Sequence, residues 1–361
     1  MSKDFAVYDK LMKPLINVEN IYLSKIDKQK FTIPILKFLD DFHFRNNINY
    51  RNMIASDRGL NWGSRSYGIP VRMFKHKDFM SVPADEIIKT LLSSGTTGQL
   101  QSKIYLNANT ARSQTLALSR IMSKLIGSKR IPMLIVDSES TTKDRTVFSA
   151  RTTGIRGFSI FGKDIHYALD DNLDFNVDTV TKFFNKYHDE PKLIFGFTFL
   201  IWKNFADNLK CLNQNLSFEK SILLHGGGWK KLESQKVSKL DFKENFINLG
   251  FDKVHDYYGM VEQTGSIFIE CEKGYFHTNN FNDLTIRDPM TYLQQKNGSE
   301  GLISLESILP FSYPGHRILT EDLGIIIGED NCTCGRKGKY FKVNGRLPKS
   351  EIRGCSNAIE L

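Results

Sequence analysis

Two hydrophobic rhythms run through this chain, and the change from one to the other marks its parts. Residues 1–60 read as helix and loop, with apolar positions at helical spacing in FTIPILKFLDDFHF (31–44). Residues 68–82 (GIPVRMFKHKDFMSV) read as an extended lead-in to the apolar run Ile87–Leu92. A helix is predicted over Asn109–Leu125, where leucines and isoleucines recur on one face. Short strand-like runs then alternate with helical stretches. The strand runs are Pro132–Val136, Lys192–Thr198, Ser221–Leu224 and Val254–Tyr258; helices are predicted near Asp178–Tyr187, through Trp202–Leu209, and before Val254. Such alternation, with glycines just past strand ends, predicts an α/β sheet that binds ligands at the strands' C-terminal edge. From Gly301 onward β-type segments dominate, as in a smaller β subdomain.

Between the run at 87–92 and the next helix lies Ser93-Ser94-Gly95-Thr96-Thr97-Gly98-Gln99-Leu100-Gln101-Ser102-Lys103. Its glycines let successive N–H groups point into one concavity, its hydroxyls add small donors, and Lys103 supplies a point charge. That suits a phosphate, although a solvated Ser/Thr/Gly loop has the same composition. The Walker spacing is absent.

Composition narrows the partners. In 361 residues, 40% hydrophobic with 26 phenylalanines, there is ample material for a large core. No apolar run approaches the roughly 18 residues of a membrane span, and the N-terminal residues lack a signal-peptide core, so a cytoplasmic protein is expected. The formal charge of +9 comes from scattered basic residues, without a basic helix face or an RNA-binding aromatic signature. An anionic substrate or acidic carrier protein fits that charge as well as nucleic acid does, and charge alone does not choose; with the downstream motifs added, no nucleic-acid partner is expected. In that compartment five reduced cysteines are candidates for metal binding or chemistry.

Three downstream clusters carry further chemistry. Tyr257-Tyr258-Gly259-Met260-Val261-Glu262 puts a carboxylate just after a strand-end glycine, Glu321-Asp322 puts acids in a turn, and Gly345-Arg346 lies near the C-terminus. Each alone matches an ordinary surface turn. Together and in this order they resemble the adenylate-forming superfamily of acyl, CoA and peptide-synthetase adenylation enzymes. Within it, HGGGWK, YGMVEQTGSIFIEC and SEIRGC resemble the acyl-protein synthetase family, with the phenylacetate–CoA ligase branch next through Cys332-Thr333-Cys334-Gly335-Arg336.

The resemblance implies an α/β fold: an adenylate-forming large domain over residues 1–345, with layered sheets and a β-rich subdomain over about 266–345, and a short tail at 346–361. It implies ATP held by Ser93, Ser94, Gly95, Thr96, Thr97, Gly98 and Lys103, with Gly226, Gly227, Gly228, Tyr258 and Gly259 on the adenine side. Asp322 would hold the ribose, Arg346 would mark the hinge, and Glu262 would carry Mg²⁺. The acyl pocket would involve Phe195–Phe199. Superfamily ligases continue past the Gly-Arg hinge with a mobile domain whose lysine serves adenylation, whereas fifteen residues follow Arg346 here. Acyl-protein synthetases share that feature and carry an acyl-accepting cysteine near the C-terminus, a place matched by Cys355. The hinge also departs, with Leu347-Pro348-Lys349 where acidic residues are usual.

Cys271, His277, Cys332 and Cys334 offer three thiolates and an imidazole, a closed zinc set by type. Their spacing alone leaves zinc and four unrelated residues equally open; similarity to the phenylacetate–CoA ligase branch implies zinc. Cys211 reads as core. The expected activity is ATP-dependent activation of a carboxylic acid, a fatty acid by family default, as an acyl-adenylate. The acyl group would pass to Cys355 as a thioester, for an acyl reductase or acyl carrier protein. Two alternatives stay open: a ligase using an external thiol such as CoA, and a non-catalytic nucleotide-binding scaffold.

Overall fold

The computed structural model describes residues 2–56, 68–93, 100–143, 149–212, 216–229 and 236–347. The chain divides into two compact units, one of residues up to 118 together with those from 260 onward, the other of residues 119–259. In chain order the strands are β1 Ile69–Pro70, β2 Ile87–Leu92, β3 Lys103–Asn107, β4 Ile131–Ser138, β5 Gly162–Leu169, β6 Lys192–Phe197 and β7 Ser221–Gly226. They continue with β8 Lys253–Tyr258, β9 Phe268–Ile269, β10 Phe276–His277, β11 Asn282–Arg287, β12 Glu300–Ser307, β13 Arg317–Glu329 and β14 Lys339–Arg346.

The 119–259 unit is the expected α/β sheet. Its strands run parallel in the order β5-β4-β6-β7-β8. The central strands β6 and β7 are buried along their whole length, so their sequences are nearly continuous apolar runs instead of alternating ones. Helix Val177–Lys186 covers one face: Asn176 caps it through Thr179 N at 3.0 Å, and Val180, Phe183 and Phe184 face the core. The predicted helix through Trp202 begins at Thr198 and continues through a π-helical stretch, Ile201–Ala206, into Asp207–Leu212. That last segment buries only Leu209, so Cys211 lies exposed, which corrects its reading as core.

The other unit contains the β-rich part expected after Gly301. Its antiparallel sheet has the order β10-β14-β13-β12-β11, with β1 alongside β13. The segment read as wholly extended, 68–82, keeps only β1 in a strand and turns helical at Met73–His76. Helix Ala108–Ile126 matches its prediction to within a residue at each end. The helices Lys3–Asn17 and Lys25–Asn46 pack on the sheet through a ring cluster, with Phe42 stacked on Phe311 at 4.4 Å and the Tyr8 hydroxyl donating to Ile308 O at 2.8 Å. Buried Lys28 sits 2.8 Å from Asp283, which Lys339 also approaches to 2.9 Å. No helix among the described residues is long and apolar enough to cross a membrane.

Helix Lys25–Asn46 also carries Asp40 and His43 into a buried polar cluster. Asp40 accepts from His316 Nε2 at 2.8 Å and pairs with Arg317, whose Nε donates to Glu306 at 2.8 Å. His43 stacks on His316 at 4.8 Å between ring centroids. Its Nε2 must donate to Pro310 O (3.1 Å), so Nδ1 accepts from the Ser81 hydroxyl (2.7 Å). That bonding fixes a neutral ring.

Burial pushes the pKa of both imidazoles down. Burial opposes ionisation of Asp40 too, but His316 and Arg317 hold it down to about 2. The unfolded chain therefore binds more protons than the native one below about pH 6.5. Stability should be fully present above that pH and fall on acidification, by up to about 1.4 kcal/mol per pH unit for each histidine. Urea unfolding between pH 7.5 and 5 should show this slope, roughly halved in His43→Asn. Stability that holds or rises on acidification would contradict the assignment.

Candidate active site

At the C-terminal edge of the parallel sheet, β7 ends in Gly226 and β8 ends in Tyr258, followed by Gly259. A side chain at Gly226 would come within 2.6 Å of the Tyr257 ring, and Gly227 and Gly228 turn with φ of 81° and 64°. Only glycine does both without strain. The Thr198 hydroxyl bridges Gly226 O (3.1 Å) and His225 Nδ1 (3.0 Å), fixing the start of this turn. Phe195 is closed core, stacked on Phe158 at 4.4 Å. Phe197 packs on Gly154 and Gly227.

A second constellation lies in the unit that holds β13 and β14. Strands β2 and β3 pair as an antiparallel hairpin, closed by Ser93 N to Ser102 O (3.1 Å), Ser102 N to Ser93 Oγ (2.8 Å) and Gln101 Nε2 to Ser93 O (2.8 Å). The hydroxyl-rich sequence joins these two ends. Lys103 faces outward, half exposed, 3.6 Å from Asp78.

Glu262 sits in a short 3₁₀ turn with its side chain buried. The turn is fastened by long-range contacts. The buried Tyr313 hydroxyl donates to Glu262 O (2.9 Å), and Gln263 Nε2 donates to Gly315 O (2.9 Å). A Cβ at Gly315 would meet Glu262 O at 2.8 Å. Burial raises the pKa of Glu262; the neighbouring Ser102 hydroxyl and, further off, Lys75 and Arg346 oppose that shift. The Ser102 hydroxyl is buried and bonds this carboxylate. Arg346 meets Asp322 across the sheet, since the β13–β14 register pairs the two and brings Arg346 Nε to 3.5 Å from the carboxylate.

The four expected zinc ligands come together. The donor atoms of Cys271, His277, Cys332 and Cys334 all lie within 4.8 Å of one another, and the first three residues are buried. Two tight turns present the thiols. Cys271 N and O bond Tyr275 O (2.8 Å) and Gly274 N (2.9 Å), and Cys332 O accepts from Gly335 N (3.0 Å). His277 comes in on β10, with Nε2 3.4 Å from Cys334 Sγ. Burial pushes the His277 imidazole down to about 4 and the Cys334 thiol up to about 12. Both shifts come chiefly from holding the groups out of water.

Comparison with known proteins decides the family. The family described as "Acyl-protein synthetase, LuxE" matches residues 29–360. The chain belongs to the acyl-protein synthetase family. Two curated relatives carry the name long-chain-fatty-acid–luciferin-component ligase. The one from Vibrio harveyi is 22% identical, over 91% of this chain and 87% of its own. The one from Aliivibrio fischeri is 24% identical, over 79% and 76%. Among solved structures, an open form of 2-hydroxyisobutyryl-CoA ligase matches with a TM-score of 0.66 at 15% identity, over 95% of this chain and 84% of that one. The α/β adenylate-forming fold expected from the motifs is therefore the fold of this acyl-protein synthetase, and the chain is an enzyme of the ligase class.

Of the expected site residues, Ser94, Gly95, Thr96, Thr97, Gly98 and Cys355 lie outside the described residues. Glu262, Asp322, Arg346, Ser93 and Lys103 all fall in the unit with β13 and β14; Gly226, Gly227, Gly228, Tyr258 and Gly259 fall in the other. Sequence reasoning missed Tyr313, Gln114 and Gly315, which hold the Glu262 turn from far along the chain. Gln114 Nε2 reaches the Tyr313 hydroxyl (3.4 Å) and Gln114 O lies 2.6 Å from where a Cβ on Gly265 would be. Only Gly265, three residues past the glutamate of the Tyr-Gly…Glu motif, hinted at close packing there.

Proposed function

We propose that this acyl-protein synthetase couples ATP to a long-chain fatty acid, forms an acyl-adenylate, and passes the acyl group to its own Cys355 for reduction by a partner enzyme. Family membership supports the activation step, and the names of the two curated relatives support a fatty acid. The observation that carries the reading is the buried Glu262 carboxylate, held in the unit that also contains the closing bonds of the hydroxyl-rich hairpin and the Asp322–Arg346 pair.

In the first step a carboxylate oxygen of the acid attacks the α-phosphorus of ATP; the P–O bond to the β-phosphate breaks and pyrophosphate leaves. Ser93 to Thr97 and Lys103 bind the β- and γ-phosphates, and Gly226 to Gly228 leave room for adenine. Asp322 accepts from the ribose hydroxyls, for which Arg346 must give way. A buried carboxylate suits Mg²⁺, so Glu262 is the residue to hold it; when bound, the cation offsets charge on the transferring phosphoryl group. In the second step the Cys355 thiolate attacks the acyl carbon and AMP leaves with the C–O bonding pair, giving a thioester.

Cys355→Ser should retain ATP–pyrophosphate exchange, because the thiol acts only in the second step. It should lose hydroxylamine-sensitive labelling by radioactive acid plus ATP. A serine variant that still labels, or a wild type that never labels while acylating CoA, would replace this reading with transfer to an external thiol.

The same proposal assigns Cys271, His277, Cys332 and Cys334 to a structural zinc. Four tetrahedral ligands with sulfurs about 2.3 Å from a metal stand about 3.8 Å apart, a size the observed cluster accommodates. Zinc here would cross-link the Cys271 and Cys332 turns. Beside them, Asp330 accepts from Lys25 N (3.1 Å), where helix Lys25–Asn46 starts, and Arg336 lies over the Tyr22 ring (5.1 Å). Metal analysis should find about one zinc per chain. Cys334→Ser should lose it and unfold at lower temperature while the remaining folded protein still catalyses exchange. A metal-free wild type of equal stability would remove zinc from the account.

A further inference from the structure

The parallel sheet reverses its strand order at one point. Strand β4 leads to β5 on one side of it, whereas β6, its neighbour on the other side, leads away to β7. Where adjacent parallel strands send their connections in opposite directions, the loops part and a ligand crevice opens at the strands' C-terminal ends. Here those ends are Asp137-Ser138 of β4 and Phe197 of β6.

Asp137 is wholly buried at this point. Arg151, from the first turn of helix Ala150–Ser159, holds it through two bonds, Nε to Oδ2 (2.6 Å) and Nη2 to Oδ1 (2.5 Å). The polar groups around the pair bond one another: Thr141 Oγ1 donates to Asp137 (2.6 Å) and Ser138 Oγ to Asp171 (2.7 Å). Arg151 Nη1 has no partner among the described residues, and 27% of the side chain is exposed.

Stability does not explain an arginine here. A cation in the first turn of a helix opposes the helix dipole. A buried ion pair also gains little over a well-packed apolar pair of similar volume. What the pair does provide is a planar fork fixed in position. Two of its edges are spent on Asp137, and the Nη1 group on the far side remains to meet the oxygens of a carboxylate or phosphate.

The place suits that task. Gly154, three residues along the same helix, lies against Phe197, where a Cβ would come within 3.1 Å of the ring. The same ring would lie 2.8 Å from a Cβ on Gly227. The helix that carries Arg151 is therefore braced on the residue that packs against the glycine turn assigned to adenine. We propose that Arg151 binds an anionic oxygen group of the reactants at this crevice, the substrate carboxylate or a nucleotide phosphate, with Asp137 holding the guanidinium in place. This rests on the reading of the chain as an acid-activating enzyme.

The test compares the wild-type full chain with Asp137→Asn/Arg151→Gln, which makes the buried ion pair a neutral one and leaves no charge unpaired. Titration calorimetry uses AMP against adenosine for the phosphate, and laurate against dodecanol for the carboxylate. The double variant should lose about tenfold in affinity for at least one anion, the scale of a charge-assisted hydrogen bond, while the matching neutral probe binds as before. A loss for AMP assigns Arg151 to the phosphate and a loss for laurate to the carboxylate; both together place it between the two. Unchanged affinity for both anions in a folded variant would overturn the inference and leave the adenylation reading standing. Equal losses for an anion and its neutral counterpart would overturn it in favour of a packing role. If the variant does not fold, phenylglyoxal labelling of the wild type, read by peptide mass, decides. AMP or laurate should then shield Arg151, and shielding by neither would overturn the inference. A wild type that binds neither anion would bring down the adenylation reading as well.

Discussion

A carboxylate buried in a protein is tolerated only where something nearby favours its charge, and Glu262 imposes that constraint on this structure. Its turn is fixed by Tyr313 from the loop before β13, by Gly315, where any side chain would strike the Glu262 carbonyl, and by Gln114 from helix Ala108–Ile126. Lys75 and Arg346 bring positive charge without forming a close pair with it. The outcome is a carboxylate whose protonation is favoured by burial and whose ionised form a divalent cation would restore. Such a group is suited to transition-state electrostatics, because its position is settled before substrate arrives.

The remainder of that unit keeps the turn in place. The antiparallel sheet delivers Asp322 and Arg346 to each other by strand register. Helix Lys25–Asn46 is locked to the sheet by two buried polar clusters, Lys28–Asp283–Lys339 and Asp40–His316–Arg317. Breaking one partner in either would leave a charge buried and unpaired, which is far more destabilising than losing an exposed pair. The Cys/His cluster stands at the same seam, where the segment leading into helix Lys25–Asn46 meets the Cys332 turn.

Much of this could be read from residues in order, because the informative patterns are local. Strand-length apolar runs, the glycines after β7, and the Tyr-Gly…Glu motif each occupy fewer than about ten residues, the range over which periodicity and turn chemistry act. Joining Cys271 and His277 to Cys332 and Cys334 took residue type together with the resemblance to the phenylacetate–CoA ligase branch, since the spacing alone left four unrelated residues equally open. Properties set by distant packing were hidden. Cys211, with no partner cysteine or histidine in sequence, reads as core, yet its helix turns only Leu209 inward. Ser102 read as one more loop donor, yet it is buried and bonds a carboxylate 160 positions away.

The central claim is that Glu262 anchors an adenylating centre, and acid-dependent ATP–pyrophosphate exchange addresses it most directly. The account predicts that the wild-type chain exchanges labelled pyrophosphate into ATP only when a long-chain fatty acid and a divalent cation are supplied. Glu262→Gln, folded as judged by circular dichroism, should lose about 10²-fold of that rate, the scale of one transition-state electrostatic contact. An undiminished rate in the variant at saturating Mg²⁺ would contradict the account.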